Sequence, residues 1–320
     1  MPSMRLYTAS QIGRARRIFS YFREIYRYRL ALLPIQGLPQ QVRTFAQAFS
    51  TLFLKRKKVL FYPDRPEPLF VIHKIFLALG FHLTTDPSEH CDIAIKWRNT
   101  IGTGNPFFPP EPALEELAHN RPDLRILNMN CNDVSKERVS TVFEEIFGYS
   151  LSVDPSTYCG KCVMKSNWNG LHLGKVIECP TTVRRDGFVY EKLINNEVEN
   201  GFVKDIRVPI FRKTIPFVYL KYRPVQERLV DRSHTLAKTT IAKVSDFLTE
   251  EEVGKIRQFC EKIGMDCGEI DVLRDQDEQK IYIVDVNNDP SGPPSPISGV
   301  HSNTAIVRLA QAFEETFLVV

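Results

Sequence analysis

The chain has no apolar run near the roughly 18–20 residues that cross a bilayer, so no integral membrane segment is expected. Its N-terminus has basic residues but no apolar core followed by a small-residue cleavage site, and no secretory signal is read there. There is no P-loop, no GxSxG and no HExxH, which removes the P-loop NTPases, the serine hydrolases with a nucleophile elbow and the zincin proteases. The seven histidines form no acid-paired cluster. The seven cysteines are odd in number and scattered over 320 residues, which argues against a disulfide framework and for a reducing, cytoplasmic setting. Cys159-Gly-Lys-Cys162 is a lone CxxC with no second pair and no helix after it, so it supports neither a zinc site nor thioredoxin-like chemistry. Acid is almost missing from residues 1–58, where Glu24 stands alone among 12 Lys and Arg. That stretch carries +11, so with a net charge of +4 the remainder carries 4 − 11 = −7.

A basic arm interleaved with aromatics (RIFSYFREIYRYRLALL) could make peripheral contact with an anionic membrane surface. The plainer reading is an amphipathic helix with Ile18, Phe22, Ile25 and Leu30 packed on the main body. The mildly acidic remainder argues against a nucleic-acid partner. Hydrophobic content of 43% with 25% charged residues is that of a globular chain, and the length suits about two domains.

Residues 1–57 read as a basic helical appendage. From Lys58 the texture becomes α/β: KVLFYP and HCDIAIKW are buried-type strands, and PLFVIHKIFLAL is a helix closed by Gly80. TGNPFFPPEP is a proline-rich loop, followed by a strand, RILNMN. SKERVSTVFEEIFG is a helix with Val139, Val142, Phe143, Ile146 and Phe147 on one face and Gly148 as its C-terminal cap. Strands alternating with helices predict a small parallel α/β layer over residues 58–150. Beyond it, KCVMKSN, GKVIEC, FVYEKLI, KDIRVPIF and FVYLKYRP are short strands. A helix opens at Thr249 with a capping box to Glu252 and stops at Gly264, and NTAIVRLAQAFEETFL closes the chain as a last helix.

The most informative stretch is GEIDVLRDQDEQKIYIVDVNNDPSGPP, two alternating strands around a turn near residue 277 or 278. This register sets Asp271 opposite Asp285, and Asn287 stays on their face because strand side chains repeat every two residues. Two carboxylates and an amide oxygen make a hard, all-oxygen set suited to Mg²⁺. Ile281, Ile283, Val284 and Val286 put apolar residues on both faces, so the strand is partly buried, where carboxylates without a cation would be costly.

VDVNNDP, with Asp271 fourteen residues before Asp285, resembles the C-terminal signature of the ATP-grasp superfamily, with Asp285 in place of the more usual Glu. FGYSLSVDP through CVMKSNWNGLHLGKVIECP looks most like a bacterial group within the superfamily to which no reaction is attached. The resemblance covers roughly residues 130–315. It implies an α/β fold with α+β lobes: an ATP-grasp domain over 151–320, hinged near 190–196, after a small α/β domain at 58–150. It implies ATP and Mg²⁺ as ligands, with Asp271, Asp285 and Asn287 on the metal.

Lys165 ends a strand just before a loop holding Gly170 and Gly174, a place where the superfamily has a phosphate-binding lysine. Lys161, on the same face, is the alternative. VYEKLINN resembles the hinge, where the backbone at Lys192 and Ile194 would read the adenine edge and Glu191 would face the ribose or amino group. Lys221 would serve the nucleotide, and Arg207 and Arg223 would be the catalytic cations; each taken singly is also an ordinary strand cation. The implied activity is a ligase that activates a small-molecule carboxylate as an acylphosphate for attack by an amine or thiol. A kinase phosphorylating a hydroxyl and a non-catalytic ATP-binding module are the alternatives.

Overall fold

The computed structural model of the protein describes residues 57–100, 103–169, 174–182, 184–229 and 237–319. The basic arm expected to be helical lies, but for Lys57, outside the described residues.

Among the described residues three sheets make up the architecture. The first is parallel, in the order β2-β1-β3-β4, from Lys58–Pro63 (β1), His82–Thr84 (β2), Ile93–Trp97 (β3) and Ile126–Leu127 (β4). Val71–Leu79 (α1) covers one face and ends at Gly80 in the left-handed conformation, as its sequence predicts. Pro112–Asn120 (α2) covers the other, packing Leu114 and Leu117 on Leu60 and Ala94. This helix differs from the expectation of loop followed by strand: with only two buried positions it shows little periodicity, and its opening proline reads equally as loop.

Lys136–Phe147 (α3) leads to a small antiparallel sheet, β6-β5-β7, from Gly160–Ser166 (β5), Lys175–Cys179 (β6) and Phe188–Lys192 (β7). The largest sheet is antiparallel, in the order β11-β10-β9-β12-β13, with Glu197–Val198 (β8) also paired to β9. Its strands are Phe202–Phe211 (β9), Val218–Pro224 (β10), Lys238–Ala242 (β11), Cys267–Arg274 (β12) and Ile281–Asn287 (β13). Strand alternation gives this sheet two unlike faces. Ile206, Val208, Leu220, Ile270, Val272 and Ile283 form the apolar one, buried beneath α3 and Glu250–Ile263 (α4). On α3 the stripe is Val139, Val142, Phe143 and Phe147, and on α4 it is Val253, Ile256, Phe259 and Ile263. The capping box of α4 is formed in both directions: Thr249 N–H to Glu252 Oε2 at 2.8 Å and Glu252 N–H to Thr249 Oγ1 at 3.2 Å. Gly299–Phe317 (α5) begins four residues before the expected helix, and packs with α1 against the first sheet and the near end of the large one.

Two helix-ending glycines test how conformation and space combine. Gly148 (φ +80°) has nothing near the position of an added Cβ, whereas one at Gly264 (φ +81°) would overlap the Asn130 carbonyl. Gly148→Ala is expected to cost about 1 kcal/mol from the left-handed conformation alone. Gly264→Ala should cost at least about 3 kcal/mol, because backbone has to move as well. Denaturant unfolding of the two variants measures the difference.

Candidate active site

The other face of the large sheet is a field of charge. β9 sets Arg207 opposite Asp271 of β12, and β13 sets Asp285 opposite Asp271 on the other side. Glu269 pairs with Asn287, and β10 adds Lys221 and Arg223. Arg207 grips Asp271 with two bonds, Nε to Oδ1 at 2.9 Å and Nη2 to Oδ2 at 2.8 Å, and Lys221 Nζ donates to Oδ1 at 2.9 Å. Burial opposes ionisation of Asp271, but Arg207 and Lys221 outweigh it and hold the carboxyl well below the usual range. Its side chain keeps 13% exposure, so a ligand can still reach it.

Between Asp271 and Val272 the register slips. Asp271 pairs with Asp285 and Val272 with Ile283, so Val284 is an extra residue with no partner across the ladder. A bulge leaves a carbonyl for other donors, and Lys165 takes it: its Nζ reaches Val284 O at 3.0 Å and the Glu191 carboxylate at 2.7 Å. Lys165 thereby ties the small sheet to the large one. Asp285 Oδ1 accepts 2.7 Å from Lys136 Nζ, which also donates to Asn169 Oδ1 at 2.9 Å. Three carboxylates, Asp271, Asp285 and Glu191, and four cations, from seven elements in all, thus meet along the strand pair β12–β13.

Asp271 and Asp285 lie directly opposite in an antiparallel pair, close enough to share an ion. Both are carboxylate oxygen donors whose side-chain partners are ammonium and guanidinium groups, so the set fits a hard divalent cation. Among the described residues no group of three His, Cys, Asp or Glu could hold a metal, so such an ion would need oxygens from a ligand or water to complete its shell.

No protein-family profile and no curated protein matches the sequence. Solved structures do. The ATP-grasp ligase PsnB complexed with minimal precursor matches at a TM-score of 0.50 and 11% identity, over 82% of this chain and 100% of that one. D-alanine–D-alanine ligase from Bacillus anthracis matches at 0.50 and 11% over 82% and 97%, and PsnB with Mg and ADP at 0.50 and 10% over 82% and 99%. The chain has the ATP-grasp fold.

On this ATP-grasp framework the residues expected from sequence fall into two groups. Asp271, Asp285, Asn287, Arg207, Lys221, Lys165 and Glu191 come together around β12–β13. Arg223 lies further along β10, bound to Asp205 at 3.0 Å, with Asn196 Nδ2 donating to the same carboxylate at 3.0 Å. In the segment expected to be the hinge, the Lys192 N–H is taken by Leu151 O at 2.9 Å, and the Ile194 carbonyl accepts from Arg228 at 2.6 Å. Lys161 points to solvent, 3.9 Å from Glu178, with both side chains more than half exposed.

Sequence reasoning missed Lys136, Asn169, Glu269 and Arg228. Lys136 carried a usable signal: it is the first residue of α3, an end where the helix dipole disfavours a cation, so another interaction had to hold it there. Its partner Asp285 is 149 residues away, beyond any local pattern.

Glu269 is 1% exposed, and neither carboxylate oxygen accepts a hydrogen bond; the nearest cation is Arg207 Nη1 at 3.6 Å. Burial pushes its pKa up to about 7 from 4.5. The folded protein therefore keeps a proton that the unfolded chain releases. Glu269 contributes stability that is full below pH 4.5 and lost as pH rises through about 7. Measured by urea unfolding without ligands, the stability of wild type relative to Glu269→Gln is expected to fall by about 3 kcal/mol between pH 4 and pH 8.

Proposed function

We propose that the protein is an ATP- and Mg²⁺-dependent ligase that activates a small-molecule carboxylate as an acylphosphate, which an amine or thiol then attacks. The observation that carries this reading is the facing pair Asp271 and Asp285, ringed by Arg207, Lys221, Lys136 and Lys165. That arrangement suits a metal-bridged polyphosphate: hard oxygen donors at the centre, with cations around them that can turn from carboxylate to phosphate. Asp271, Asp285 and Asn287 would hold Mg²⁺, which when bound neutralises phosphate charge. Structural neighbours support the reading by what their descriptions state: both are ligases, and PsnB has been captured with Mg and ADP.

In this reading residues 151–320 are the ATP-grasp domain, hinged near 190–196, and 58–150 the domain before it. Lys165 and Lys136 orient the phosphates, while Glu191, the Lys192 carbonyl and the Ile194 N–H face the nucleoside, the Lys192 N–H and the Ile194 carbonyl being taken by Leu151 and Arg228. Arg207 and Lys221 absorb charge that builds up as the phosphoryl group moves, and Arg223, held by Asp205, is the outer catalytic cation. Phosphoryl transfer of this kind depends on position and electrostatics and needs no protein nucleophile, in keeping with the missing nucleophile motifs. Incubating the protein with Mg·ATP and pooled carboxylic acids, with and without amines and thiols, should release ADP and phosphate together only when both substrates are present. ADP release without phosphate, into a phosphorylated hydroxyl compound, would replace the ligase reading with a kinase one.

A further inference from the structure

The lone CxxC of the sequence has no place in the charged site, but its second cysteine has a partner elsewhere. β5 and β6 run antiparallel, with Gly160 opposite Cys179 and Cys162 opposite Ile177. Cys162 shares the face of Gly160, two residues along the strand, so Cys162 and Cys179 are diagonal neighbours on one face of the small sheet. Gly160 has no side chain to stand between them. The two sulfurs lie 3.2 Å apart, in contact, and both belong to free thiols. Met164 and Tyr190 surround them, on the face opposite to that of Lys165 and Glu191. The pair is therefore no part of the charged site.

Two thiols in contact have a reaction that separate thiols lack. Disulfide sulfurs are about 2 Å apart, so closure takes about 1 Å, which side-chain rotation supplies. Accessibility sets the order of events. Cys162 is 0% exposed on the middle strand, and burial pushes its thiol up to about 12. Cys179 is 9% exposed and ends β6, the outer strand of the sheet, so a small oxidant meets Cys179 first.

We infer that Cys162 and Cys179 are an oxidative modification site, a dithiol that hydrogen peroxide closes to a reversible disulfide stiffening β6 against β5. In the first step the Cys179 sulfur attacks a peroxide oxygen and the O–O bond breaks. The other oxygen leaves as water with the thiol proton, and Cys179 is left as a sulfenic acid. In the second step the Cys162 sulfur attacks that of Cys179 and the S–O bond breaks. The hydroxyl leaves as a second water with the Cys162 proton, and two electrons have passed from the sulfurs to the peroxide. A dithiol reductant reverses the link by exchange. An outer strand with one neighbour opens by fraying, and a covalent tie to that neighbour removes the opening. The same hairpin carries Lys165 on β5 and, in its connecting segment, Asn169, which accepts from Lys136. The modification is independent of the ligase reading.

The test treats the full chain with hydrogen peroxide at neutral pH, quenches with catalase, unfolds it in an alkylating agent and maps the peptides by mass spectrometry. Cys159, exposed in the same chain, reports that the oxidant was delivered. The expected product is a Cys162–Cys179 disulfide, absent from protein kept in dithiothreitol and removed by it. Cys91, Cys131, Cys260 and Cys267, buried in the other cores, should stay free. In Cys159→Ser the link should form within twofold of its wild-type yield. In Cys162→Ser, sulfenic acid at Cys179, trapped by a cyclic 1,3-diketone, should rise at least tenfold over wild type. Amide hydrogen exchange across Lys175–Cys179 should slow at least tenfold on oxidation. Oxidised Cys159 beside free Cys162 and Cys179, a link from Cys159 to either of them, or exchange in β6 unchanged by the disulfide overturns the proposal. Should Cys162→Ser fail to fold, the wild-type peptide map and exchange decide it alone.

Discussion

Asp285→Asn is expected to lower the affinity for Mg·ATP at least about 100-fold, roughly 2.7 kcal/mol, while leaving the fold intact. The loss follows from the charge: of the two facing carboxylates, Asp285 is the more open, with 27% of its side chain exposed against 13% for Asp271. It carries one ammonium partner where Asp271 carries a lysine and an arginine. The fold survives because the amide oxygen of the replacement still accepts from Lys136, which keeps Asn169 as a second partner. Calorimetry of Mg·ATP binding, with circular dichroism as the fold control, checks both halves. Undiminished affinity would remove Asp285 from the metal site.

Lys165→Met carries the second large effect, on two quantities at once. Its ammonium meets Glu191, which is 3% exposed, so removing it strands a carboxylate in the interior. Breaking a buried pair from one side costs about 3–5 kcal/mol, and unfolding stability should fall by about that much. The double variant Lys165→Met/Glu191→Gln should recover most of the stability, since no charge is then left unpaired. ATP affinity should fall tenfold or more in the single variant and should not return in the double one. Lys161→Met should change neither quantity, because Lys161 and its distant partner Glu178 are bathed in solvent. Recovery of ATP affinity in the double variant would mean that Lys165 acts on the nucleotide only by holding the lobe in shape.

Much of this architecture was legible along the chain because local physics enforced it. Gly80, Gly148 and Gly264 end their helices in the left-handed conformation, and the Thr249–Glu252 box opens another, as short-range pattern indicates. The hairpin register that faces Asp271 with Asp285 follows from alternation and turn position. The bulge at Val284 was hidden because Ile281, Tyr282, Ile283 and Val284 put large, largely apolar side chains on successive positions, and such a run is silent about where the extra residue sits. The strand Lys238–Ala242 is short, with a single buried residue, and gives no alternation to read. Glu269 looked like one more acid in an acidic hairpin. Its isolation comes from Trp97, Phe211 and Leu309, contributed by three separate parts of the chain.

The pairing of every central cation with a carboxylate changes what nucleotide binding would measure. Lys136, Lys165, Arg207 and Lys221 are already offset by Asp285, Glu191 and Asp271 to within one net positive charge, so an arriving polyphosphate would swap one anion for another. From a distance the cleft presents little excess positive potential, and long-range steering should do little for the association rate. Raising ionic strength weakens the internal pairs and the incoming contacts together, so affinity should depend on salt far less steeply than four lysines and arginines in an open groove would suggest. Asp271 and Asp285, two of the carboxylates released in the swap, are the ones that suit the divalent ion, which makes the metal and the nucleotide each other's condition for tight binding.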